Sequence, residues 1–215
     1  IYFHFLGSTV NKNEFEDVKM KDADVFLIEY CGYPHTTGSP SESGYYASAN
    51  AAFEEVTSKG YQKIVLVGAS LGCAMALYVA HKHNSDSRII ATILLAPFES
   101  VARCLNATNA LLAKLPFVPQ LIDVFKNYKH IRNVSNCYIV HDKQDRLAPI
   151  RNARNLKKAN PSVVLVETDG LDHDTDALFR ALAKECRGLE GFVSYSLSTI
   201  LSYLNGVGAG NVVTL

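Results

Sequence analysis

The sequence predicts an α/β fold with a mostly parallel central sheet and helices on both of its faces. Three observations lead there. Short apolar runs such as IVLV (64–67) and IIATILL (89–95) alternate with helix-patterned stretches. The runs are apolar at successive positions, as strands covered on both faces must be. The polar residues that stand out fall just after a strand, where ligands of parallel sheets bind.

The elements follow in order. IYFHF (1–5) is a β-rich run that stops at Gly7-Ser8-Thr9, and DVFLIEY (24–30) is a second strand followed by the turn-rich CGYPHTTGSP. Ser41 followed by an acidic residue and an alanine-rich stretch predicts a capped helix from Ser41 to Lys59, ended by Gly60. IVLV runs through GASLG into a helix reaching about His83, and IIATILL ends at Ala96-Pro97. Cys137 to His141 and Val163 to Val166 are two more strands, with helical patterns near Pro149 to Lys158 and Asp174 to Leu204. The tail GVGAGNVVTL reads as loosely held.

The 98–134 connection breaks the alternation. It is apolar and helix-like in two pieces, broken at Pro116 and Pro119. It reads either as a crossover with an extra helix or as a small cap lined by Leu111, Leu112, Leu115, Phe117, Val118, Leu121 and Phe125. With 215 residues, the chain suits a single domain over 1–215.

Composition excludes several classes. The 21 basic and 21 acidic residues balance without a run of five like charges, so neither nucleic acid nor an anionic membrane surface is indicated as a partner. Five cysteines (31, 73, 104, 137 and 186) without a CxxC argue against a disulfide framework or zinc site and for a reducing compartment. The expected location is cytoplasmic, or the cytosolic face of a membrane if an anchor precedes Ile1. Ile1 opens inside a strand pattern without a methionine, which reads as a fragment or a trimmed chain.

GASLG (68–72) sits where a strand becomes a helix. Glycines on both sides of Ser70 permit a sharp turn that lifts the hydroxyl above the sheet, and the following helix aims amides at the same spot. A serine nucleophile needs a base and a carboxylate to orient it, in the chain order Ser, Asp or Glu, His for this architecture. His81 and His83 lie too far along the elbow helix, His130 sits in the connection, and His141 precedes any suitable acid. His173, in the loop DGLDHD, is the expected base. In HDKQDRLAP, Asp145 is the preferred acid and Asp142 the second choice. Asp169, Asp172 and Asp174 read as loop and cap carboxylates. Tyr33 and His35 follow a strand end and read as loop residues that can line the site. No GxGxxG, P-loop or HExxH occurs, so dinucleotide, nucleotide and zinc-protease readings lack support.

GASLG, HDKQDRLAP and GLDHD, in that order and on that strand pattern, resemble the α/β-hydrolase superfamily from Ile1 to about Leu204. EYCGYPHTTGSPSESGYY resembles the aspartate-tyrosine-arginine-glycine-tyrosine-glycine stretch, with a later proline-serine-glutamate, of the eukaryotic abhydrolase-domain proteins that include depalmitoylases. Glu29, Cys31 and Pro34 depart from that pattern. The resemblance implies an α/β-hydrolase fold whose N-terminal strands are here reduced or missing. It also implies an oxyanion hole from the backbone amides of Leu71 and Leu6, the latter in HFLGS where relatives carry histidine-glycine. Ser70 at the elbow argues against the dehalogenase branch, whose nucleophile is an aspartate.

The expected function is therefore a serine hydrolase that cleaves a carboxylic ester or thioester through Ser70, His173 and Asp145, with no cofactor and no metal. Its substrate would be a small-molecule or lipid-like ester, or an acylated protein. The alternative is a non-catalytic protein that uses the same fold for binding, for which the Phe5 departure speaks.

Overall fold

A computed structural model describes residues 1–4, 24–107, 123–178, 181 and 212–214. The strands are β1 (Tyr2–Phe3), β2 (Val25–Ile28), β3 (Ile64–Ala69), β4 (Ile89–Leu95), β5 (Cys137–Asp142), β6 (Val164–Thr168) and β7 (Val212–Thr214). They form one sheet in the order β6-β5-β4-β3-β1-β2-β7. Every described pairing is parallel. The last residues do not behave as the tail the sequence suggests, because Val212–Thr214 pairs with Val25, Phe26 and Leu27 along β2.

Successive side chains of a strand point to opposite faces. Leu66, Leu94 and Ile139 enter one core with Phe3 and Ile28, while Val67, Ile93, Leu95 and Val140 enter a second. Three helices, α1 (Glu42–Ser58), α2 (Gly72–Lys82) and α5 (Arg151–Ala159), cover the first face. Leu178, from a helical turn at 175–178, packs on the second. No described helix is long and apolar enough to cross a membrane.

Local chemistry accounts for the helices. The Ser41 hydroxyl accepts from the Gly44 N–H at 3.0 Å and caps α1. Glu42 complements the dipole of the first turn. Tyr45, Ala49, Ala52, Phe53 and Val56 form its buried stripe. Helix α2 is buried on nearly every side from Gly72 to Ala80, so tertiary packing rather than a side-chain cap holds it.

Of the 98–134 connection, α3 (Val101–Ala107), α4 (Asn127–His130) and a 3₁₀ turn (Ile131–Asn133) are described. Six of the seven expected cap-lining residues lie outside the described residues. Phe125 is buried, stacks on Tyr45 at 6.1 Å, and donates its N–H to Glu42 Oε1 at 2.6 Å. Here the connection is fastened to α1.

Two testable consequences follow from this packing. A Cβ at Gly72 would fall 1.9 Å from the Phe3 carbonyl oxygen. Gly72→Ala is expected to lower stability by roughly 3 kcal/mol, read from urea unfolding midpoints. The ring of His130 lies 5.3 Å from that of His81 and edge-on to Tyr46 and Tyr78. Burial, followed by His81 and Lys129, lowers its pKa from 6.5 to about 4. As pH falls, the unfolded chain takes up this proton first, so the stability it contributes is full above about 6.5 and is lost toward about 4. Melting temperature over that interval is expected to fall more steeply for the wild type than for His130→Phe.

Candidate active site

The elbow is built by close approach. A Cβ at Gly68 would lie 2.6 Å from the Gly72 carbonyl oxygen, and Gly72 itself abuts the end of β1. Between them Ser70 takes a positive φ of 49°, a left-handed conformation that costs a non-glycine residue energy. Its N–H donates to the Leu95 carbonyl at 2.9 Å, and its carbonyl accepts from the Cys73 N–H at 3.1 Å. These bonds tie the strained residue to β4 and to the first turn of α2. Cys73 lies buried beside the elbow, its Sγ within 3.2 Å of the Gly68 oxygen and 3.3 Å of the Leu95 oxygen. Burial pushes its thiol well above the ordinary range, so it remains a packed thiol.

The three residues singled out in the sequence come together. Ser70 Oγ stands 2.9 Å from His173 Nε2, and His173 Nδ1 stands 2.7 Å from Asp145 Oδ2. With a carboxylate at Nδ1, that nitrogen carries the proton and leaves Nε2 free to accept from the serine hydroxyl. Asp145 is buried, yet its other oxygen, Oδ1, accepts from the N–H groups of Leu147 and Ala148 at 2.9 and 2.7 Å. Burial pushes the Asp145 carboxyl up. The His141 ring 3.1 Å away and hydrogen bonds from His173 and the Ala148 amide outweigh that and hold it well below the usual carboxylate range.

Asp142 has a different task. Its Oδ1 accepts from the Gln144 N–H at 2.8 Å, and its Oδ2 accepts from the Thr168 hydroxyl at 2.8 Å and the Leu171 N–H at 3.0 Å. The Arg146 N–H donates to Asp172 Oδ1 at 3.0 Å, and Gln144 Nε2 donates to Asp169 Oδ1 at 2.6 Å. These bonds stitch the loop carrying Asp145 to the loop carrying His173. Asp174 caps the 175–178 turn through the N–H groups of Asp176 and Ala177.

Leu71 occupies the N-cap of α2 and is buried. Leu6 lies outside the described residues. Tyr33 packs against His4, Tyr30 and Tyr45, and His35 is exposed. Sequence reasoning passed over His141. Its ring is fully buried, with Nε2 3.1 Å from Asp145 Oδ2. The available signal was a polar residue ending an apolar strand four positions before the acid.

Residues 2–129 match the family model described as the alpha/beta hydrolase fold, and the chain belongs to that family. It is similar to the protein bem46 of Schizosaccharomyces pombe, 42% identical over 83 residues that make up 36% of this chain and 26% of that one. It is also similar to the alpha/beta hydrolase domain-containing protein aho-3 of Caenorhabditis elegans, 34% identical over 78 residues covering 35% of this chain and 24% of that one. The matches span about a quarter of the length of these curated relatives. Among solved structures, MGS-M2, an alpha/beta hydrolase enzyme from a Medee basin deep-sea metagenome library, shares the fold. Its TM-score is 0.63 at 12% identity, over 90% of each chain.

The bonding of Asp142 makes a prediction that separates it from Asp145. Asp142→Ala orphans three donors at the junction of two loops. It is expected to cost at least about 2 kcal/mol of stability, measured by chemical denaturation.

Proposed function

We propose that this chain is a serine hydrolase that cleaves a carboxylic ester or thioester. The observation that carries the proposal is the continuous line from Ser70 Oγ to His173 Nε2 at 2.9 Å and from His173 Nδ1 to Asp145 at 2.7 Å. Membership of the alpha/beta hydrolase fold family supports it.

In this reading, Ser70 Oγ attacks the acyl carbonyl carbon while His173 Nε2 takes the hydroxyl proton. Asp145 keeps the proton of the neutral ring on Nδ1 and stabilises the imidazolium that forms. The backbone amides of Leu71 and Leu6 receive the oxyanion, each worth roughly 3 kcal/mol in comparable sites. His173 then protonates the departing alcohol or thiol, and water, activated by the same ring, releases the acyl group from Ser70. The apolar 98–134 connection, acting as a cap, would favour a medium or long acyl chain, at about 0.8 kcal/mol of binding per buried methylene. The substrate class is a lipid-like ester or an acylated protein, and the scattered cysteines favour the cytosol.

Labelling with a fluorophosphonate tests the proposal. The wild type is expected to label, Ser70→Ala and His173→Ala to fail, and Asp145→Asn to react about 10⁴-fold more slowly. Turnover of p-nitrophenyl esters is expected to rise with acyl length to an optimum. A folded wild type that takes no label would favour a non-catalytic binding role.

A further inference from the structure

Strand β5 ends on two fully buried polar residues, and the mechanism above uses neither. The structural work of Asp142 is described above. His141 stands behind the carboxylate that orients the base. Its Nε2 donates to the Ala148 carbonyl at 2.5 Å and stands 3.1 Å from Asp145 Oδ2. Its Nδ1 is buried and has no partner among the described residues. Both neighbours of Nε2 are acceptors, so Nε2 carries the ring proton and Nδ1 the lone pair. Asp145 Oδ2 therefore lies between two imidazole edges, His173 Nδ1 at 2.7 Å and His141 Nε2 at 3.1 Å.

The same contacts brace the turn at 145–148. Ala148 accepts from His141 through its carbonyl and donates its own N–H to Asp145 Oδ1 at 2.7 Å. The ring thus holds both the carboxylate and the backbone that supplies one of its donors. Three elements add titratable or charged neighbours. Cys104 on α3 lies near Leu147 and feels the Asp145 charge. Glu167 on β6 pairs in register with His141 and is itself bridged to Arg154 on α5. Asp172 faces the turn from the His173 loop.

We propose that His141 is a positioning residue for the hydrolase: its Nε2–H fixes the Asp145 turn and draws on the carboxylate that His173 also uses. The proposal rests on reading Ser70 and His173 as the reacting pair. With the turn braced, Asp145 Oδ2 keeps one position for His173 Nδ1–H. Loss of the His141 donor frees the turn and loosens the aim of His173.

The test measures the rate of fluorophosphonate labelling for the wild type, His141→Leu and His141→Gln. The leucine variant is expected to react roughly tenfold or more slowly. Glutamine, whose amide offers two N–H donors, is expected to stay within about threefold of the wild type. Nitrogen-15 NMR of the wild-type rings is expected to find the His141 proton on Nε2. A leucine variant that matches the wild type in rate overturns the proposal, as does a His141 proton on Nδ1. If the leucine variant does not fold, the glutamine variant and the ring tautomer decide. A folded glutamine variant that labels near the wild-type rate, with the proton on Nε2, supports positioning, and one that loses labelling overturns it. A wild type that takes no label overturns the Ser70 reading instead, and so is distinguished from a labelled wild type unaffected by His141→Leu.

Discussion

The contact between Gly72 and the Phe3 carbonyl governs the architecture of the site. With no side chain at Gly72, the start of α2 can lie directly against the end of β1, where a methyl group would sit 1.9 Å from the carbonyl oxygen. That approach allows the chain to leave β3 and turn into α2 within two residues. Ser70 absorbs the turn with its positive φ. The strain is sustained because β4 and α2 both bond the backbone of Ser70 and because α2 is buried along most of its length. A hydroxyl raised above the carboxyl edge of the sheet is the outcome of this packing.

The carboxylates of the β5 loop divide the remaining work. Asp142 accepts from Gln144, Thr168 and Leu171, and so joins two loops 26 to 29 residues apart in sequence. Asp145, placed by that junction, accepts from two amides and faces two histidines. Each carboxyl is held below its usual titration range because accepted hydrogen bonds outweigh the effect of burial. Asp142 secures the loops, and the ionised Asp145 presents a fixed acceptor to His173.

Much of this was legible in the sequence because its causes are local. IIATILL formed the strand Ile89–Leu95 as read, and Ser41 capped α1, since apolar runs and caps act within a few residues. The glycines around Ser70 marked the elbow because few other residues tolerate such backbone approach. The Asp145 and His173 loops followed from strand order. Long-range features were hidden. Nothing near Val212–Thr214 announced pairing with β2, and a short run among glycines resembles a tail. Nor did His141 announce its contact with Asp145, which depends on how the turn folds back over the strand end. Asp142 and Asp145 have the same chemistry and similar positions, so the sequence ranks Asp145 first without excluding Asp142, and the three-dimensional donors around each separate their work. Six of the seven residues expected to line the proposed cap lie outside the described residues, and Phe125, with its bond to Glu42, marks where the connection returns to the core.

The central claim is that the fold itself activates Ser70. Its most direct measurement is peptide mapping by mass spectrometry after brief exposure to one equivalent of a fluorophosphonate, on folded and on urea-unfolded chain. The account predicts one adduct per folded chain, on the peptide carrying Ser70, and none after unfolding. An unmodified folded chain, or an adduct spread over other hydroxyls and independent of folding, would contradict it.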